Sequence, residues 1–97
     1  MARYVATVKF TEQGITTIRD TCKRATAFKA AAKKLGVKVT DILWTLGHFD
    51  GLIIMDAPDE DTVSTAMLYL GSQGNVQTQT VRAFNATETE KLLAALP

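Results

Sequence analysis

A chain of 97 residues, 46% of them hydrophobic and 22% charged, has the composition of one ordinary globular domain, residues 1–97. A domain this small buries only about 60–65% of its unfolded surface, so a partner surface is expected to add to its stability. The net charge of +1 gives no strong field for an anionic polymer, and no apolar run approaches the ~18–20 residues of a membrane span.

The segment Met1-Ala2-Arg3-Tyr4-Val5 goes straight into a strand pattern without a leader-like apolar region, and a cytoplasmic location is the expectation. Arg3 to Phe10 alternates, with Tyr4, Ala6, Val8 and Phe10 on one side, as a half-buried strand does. Ile15, Ile18, Cys22, Ala25, Phe28, Ala32 and Leu35 then recur at three- and four-residue steps, which predicts a long helix packed by that stripe and ending at Gly36. Gly14 and Thr21 weaken its early turns and allow two pieces, with Asp20 capping the second. Cys22 falls on the stripe and is expected to be a small buried thiol. Seven basic residues and one acid lie between Arg19 and Lys38, while beyond Lys38 acids outnumber bases by eight to two. Lys23, Lys29, Lys33 and Lys34 have no aromatic residues between them for base stacking, so this is a solvated helix face and nucleic acid is not expected as a partner.

From Val37 to Leu46 the apolar phase slips by one residue near Thr40-Asp41, which predicts a bulge in the second strand. Gly47-His48-Phe49-Asp50-Gly51 has hairpin chemistry, and Leu52-Ile53-Ile54-Met55 is an unbroken apolar run whose two faces both avoid water. Pro58 and Asp59 open a second helix with Val63, Ala66, Met67 and Leu70 as its stripe, running to about Leu70. Val76 to Phe84 is a polar strand suited to a sheet edge. Thr87-Glu88-Thr89-Glu90 has capping-box spacing ahead of a leucine face of Leu92, Leu93 and Leu96.

Lys9-Phe10-Thr11, Trp44-Thr45-Leu46-Gly47, Gly47-His48-Phe49-Asp50, Gly74-Asn75-Val76 and Arg82-Ala83-Phe84 together resemble the signature of the GYD-domain family, with Phe49 standing where that family usually has tyrosine. The resemblance covers nearly the whole chain. It implies a ferredoxin-like fold of the dimeric α/β-barrel type, in which subunits pair through their sheets. The order of elements leads independently to the same α+β class: a βαββαβ chain forms a four-stranded antiparallel sheet with two helices on one face, plus a short C-terminal helix. Strands one and three are then central. The second sheet face needs a cover, and a homodimer or higher homo-oligomer supplies one, with Trp44, Ile53, Met55, Leu92 and Leu96 as expected contacts and Leu52 with Ile54 as the alternative pair on strand three.

His48 and Asp50 are the candidate acid–base pair, since an exposed turn imidazole flanked by a carboxylate offers both a proton donor and an acceptor. Lys9, Trp44, Thr45 and Arg82, with Thr78, are candidates for a small-molecule pocket if they share a face. Asp41 is either a bulge residue or a partner for Arg24 or Arg82. One histidine, one cysteine and scattered carboxylates do not make a metal site, and no cofactor motif is present. The expected function is an oligomeric binding or structural assembly module. The alternative is a small-molecule enzyme, an isomerase or cofactor-independent oxygenase, using His48 and Asp50.

Overall fold

A computed structural model describes residues 1–97. Strand β1 (Ala2–Phe10) is followed by a short helix α1 (Glu12–Thr16), a single 3-10 turn over Ile18–Asp20 and helix α2 (Thr21–Lys34). Then come β2 (Lys38–Trp44), β3 (Gly51–Ala57), α3 (Glu60–Ser72), β4 (Val76–Ala83) and α4 (Ala86–Ala94). The four strands make one antiparallel sheet in the order β2-β3-β1-β4, which puts β1 and β3 in the centre as the sequence implies. The register slips between Val39 and Asp41, so the bulge lies where the apolar phase predicts it.

All twelve residues of the core lie between the helices and one face of the sheet. Tyr4, Ala6 and Val8 of β1 and Ile53, Met55 and Ala57 of β3 point into it, each two residues from the last, and Met55 is 0% exposed. Val63, Ala66 and Met67 of α3 and Phe28 and Ala32 of α2 close it from above. The molecule is 18 Å across its shortest axis, the depth of two layers.

The first helical region is two pieces rather than one. Thr16 and Thr17 each turn their hydroxyls back to donate to the Gln13 carbonyl, at 2.9 and 2.8 Å, which competes with helix propagation and ends α1. The break changes the buried face and corrects the expected stripe. Counting back from Phe28, seven residues return to Thr21, whereas Cys22 at six residues is rotated by about 120°. Cys22 is therefore exposed, and so are Ile15, Ile18 and Leu35. Asp20 occupies the cap position of α2 but its side chain makes no capping bond.

Other helix ends follow their sequence signals more closely. Gly36, with φ of 93°, donates to the Lys33 carbonyl, and the Val37 N–H reaches back to Ala32 at 2.9 Å. These paired bonds satisfy the last carbonyls of α2 and bring buried Val37 against buried Ala32. Asp59 caps α3 through the Thr62 N–H at 2.8 Å, and these Thr62 bonds hold the Asp59 carboxyl below its usual range. The capping box of α4 is formed by Asn85 and Glu88 rather than by Thr87 and Glu90.

Helix α1 is sewn to the segment between α3 and β4. The Thr11 hydroxyl donates to the Gly74 carbonyl at 2.6 Å, the Thr11 N–H to the Asn75 carbonyl at 3.1 Å, and the Gln13 amide to the Asn75 side chain at 2.9 Å. Buried Gly14 lies so close that a Cβ there would run into the Asn75 carbonyl oxygen. Gly14→Ala is expected to destabilise the protein by about 1–3 kcal/mol, because neither backbone can yield without breaking those bonds. Urea denaturation measures it, and an unchanged midpoint would mean that this contact is not tight.

Candidate functional site

Two surfaces remain after the core is made: a cleft at one end of the helix layer, and the bare face of the sheet. The cleft has a volume of about 150 Å³ and is mostly apolar. Phe10, Phe28, Trp44 and Tyr69 give it aromatic walls, and Arg24 and Asp50 are its charged residues. The Trp44 indole N–H donates to the Thr21 hydroxyl at 3.0 Å, which fixes the ring of an edge strand against the start of α2. Arg24 reaches backwards from α2. Its Nη1 donates to the Thr17 carbonyl and hydroxyl at 2.9 and 3.0 Å, and its Nη2 to the Gly14 carbonyl at 3.2 Å.

The hairpin between β2 and β3 is tied to β1. The Asp50 carboxylate accepts the Phe10 N–H at 2.9 Å, while the Asp50 N–H donates to the Val8 carbonyl at 2.7 Å. The Thr45 hydroxyl donates to the Phe49 carbonyl at 2.6 Å and closes the loop. His48 is exposed at the tip of this loop and makes no side-chain hydrogen bond within the chain. Asp50 thus serves as a backbone acceptor joining two strands, and it is directed at Phe10.

The bare face is built from the alternate residues of the same strands. Cross-strand pairing places Asp41, Ile54, Val5 and Val81 in one row and Leu43, Leu52, Thr7 and Gln79 in the next. A polar row, Lys38, Asp56 and Arg3, bounds them on one side, and Lys9 with Gln77 lies on the other. Arg3 and Asp56 form a two-pronged ion pair at 3.1 and 3.2 Å. The hydrogen bond from Arg3 holds the Asp56 carboxyl below its usual range, and Asp56 in turn raises the Arg3 pKa. Val81 is 59% exposed and Leu43 44%, so this apolar band faces outwards.

The residues expected to form a polar pocket are dispersed. Trp44 and Thr45 stand at the β2 edge, Lys9 is exposed on the bare face, and Arg82 lies on β4 at the opposite edge. Arg82 joins β4 to α4: its guanidinium is 4.3 Å from the Phe84 ring centroid, 5.8 Å from that of Tyr4, and pairs with Glu88 at 3.1 Å. The Asn85 N–H and then Arg82 hold the Glu88 carboxyl below its usual range. Asp41 is exposed, pairs with Ile54 just after the extra residue Thr40, and partners neither Arg24 nor Arg82. Ile53 and Met55 belong to the core, a correction to their place among the expected contacts, and the strand-three residues on the bare face are Leu52 and Ile54. Trp44, Leu92 and Leu96 are exposed. The sequence offers Arg24 only as a possible partner for Asp41 and gives it no place in a pocket. Its position four residues before Phe28 and eight before Ala32 is the signal that it faces inwards.

This topology, with both crossover helices on one face of the sheet, defines an α+β protein of ferredoxin-like architecture. The chain belongs to the GYD domain family, which it matches over residues 4–93. It is 30% identical over 84 residues to the glutamine synthetase and cystathionine beta-lyase binding protein of Thermus thermophilus, across 86% of this chain and 88% of that relative. No helix is long and apolar enough to cross a membrane.

The geometry gives Asp50 a structural role with a measurable signature. Asp50→Ala leaves the Phe10 N–H without its acceptor and is expected to cost about 1–3 kcal/mol in chemical denaturation. Asp50→Asn keeps an acceptor oxygen and should cost clearly less, and His48→Ala should stay within about 0.5 kcal/mol of the parent. Equal losses for all three would contradict the assignment.

Proposed function

We propose that the protein is a binding module that works as a homo-oligomer, the bare sheet face being covered by a second copy and the assembly holding a protein partner. The observation that carries this is the outward band of Leu43, Leu52, Ile54, Val5 and Val81. Each large apolar side chain left in water forgoes about 1.5–3 kcal/mol of burial, and several lie side by side. An apolar centre rimmed by Arg3, Asp56, Lys38, Lys9 and Gln77 is also the usual anatomy of a protein interface.

A protein partner is supported by the Thermus relative, which is named for binding two enzymes, glutamine synthetase and cystathionine beta-lyase. An enzyme of that kind is the partner class we carry over to this chain. Helix α4 and the residues just after it offer it a surface, because Leu92, Leu93 and Leu96 are all more than half exposed and the helix buries none of its residues. The exposed free thiol of Cys22 fits a reducing compartment such as the cytoplasm. Binding is favoured over catalysis by the hairpin pair, since Asp50 is committed to Phe10 and His48 lacks an orienting partner.

Two substitutions one residue apart test the reading. Ile54→Lys places a charge on the bare face and is expected to give a folded monomer, seen as a later elution in size-exclusion chromatography with a native circular dichroism spectrum. Ile53→Lys places it in the core and is expected to unfold the chain, as an unpaired buried charge costs roughly 4 kcal/mol or more. An Ile54→Lys protein that elutes with the parent would refute assembly through this face.

A further inference from the structure

We propose that the cleft beneath α2 is a binding site for a small single-ring organic anion, an aromatic carboxylate, with Arg24 as its charge partner. The cleft lies on the helix side of the sheet, so the inference is independent of assembly through the bare face.

Size and lining set the ring. A cavity of about 150 Å³ with apolar walls accommodates one six-membered ring, and the side chains of Phe28, Trp44 and Tyr69 offer it faces and edges to pack against. The cavity is open on one side, so a polar substituent can extend from the ring without being forced into the core. Small residues of α2, among them Ala25, make the room.

Arg24 sets the charge. It is half-buried, and its three hydrogen bonds all go to neutral oxygens, those of Thr17 and Gly14. Neither ion pair of the chain includes it. A guanidinium has five N–H donors, so at least two remain for an incoming carboxylate. The bonds to α1 also fix its position before any ligand arrives, which lowers the ordering cost of binding. The other charge in the cleft, Asp50, has one oxygen on the Phe10 N–H, and that bond partly satisfies it. Its negative charge disfavours a second anionic group on the ring, which selects a monoanion over a dianion.

Trp44 is the sole tryptophan and its indole N–H bonds to Thr21 at the cleft wall, so its fluorescence and its indole NMR resonance both report occupancy. The full-length protein is titrated with benzoate and with neutral benzyl alcohol. Benzoate is expected to shift the Trp44 signals saturably and more tightly than benzyl alcohol. Arg24→Gln should weaken benzoate by about tenfold or more while leaving benzyl alcohol unchanged, which a general loosening of α1 would not do. Ala25→Leu keeps Arg24 and fills the cavity, and should abolish both titrations with a native circular dichroism spectrum. Absence of saturable benzoate binding to the parent would overturn the proposal, as would benzoate affinity that neither variant alters.

Discussion

Everything in this molecule depends on the one-sided packing of its central strand. Strand β3 is apolar on both faces, yet the two crossover helices of a split βαβ arrangement come to the same side of the sheet. Ile53 and Met55 meet those helices and form the centre of the core. Leu52 and Ile54, carried by the same four-residue run, are presented to the other side together with Val5, Val81 and Leu43. The pleat allows no other outcome, because a strand cannot turn successive side chains to one face.

The same constraint locates the cleft. Helix α2 packs closely on the sheet around Ala32 and Val37, where its end is locked by the Gly36 turn. Towards its start the contacts change to Thr21, Arg24 and Ala25, and there the cleft opens beside the aromatic residues of β1, β2 and α3. The far wall is held by the bonds from Thr11 and Gln13 to residues 73–75 and by the close approach of Gly14 to Asn75. The cleft is therefore bounded by fixed backbone at both ends, a setting in which a half-buried arginine keeps its place.

Fold was legible in the sequence because period and turn chemistry are local signals. The phase slip at Thr40-Asp41, the Asp59 cap and the glycine after α2 each mark a feature that the structure contains. The errors arose where one local preference outweighed another. Thr16 and Thr17 ended a helix whose apolar spacing continued through them, and Ile15 and Ile18 are exposed beside the break, while Cys22 is out of phase with Phe28 on α2. Which face of β3 would be bare could not be read, since Leu52/Ile54 and Ile53/Met55 are equivalent in hydrophobicity and differ only in where the helices land. Site residues were harder still. Arg82 and Trp44 are on opposite edges of the sheet, a relation set by strand order, and Arg24 is distinguished from neighbouring lysines only by helical phase.

The bare sheet face is proposed as an interface between copies of the chain, with the helix side left free for ligand and partner. Sedimentation equilibrium of the unaltered protein over a range of micromolar concentrations tests this most directly. A mass at or above twice the 10.6 kDa of one chain, holding constant as the protein is diluted, is the expected result. A single-chain mass at every concentration would contradict it, and would mean that Val5, Leu52, Ile54 and Val81 stand in water.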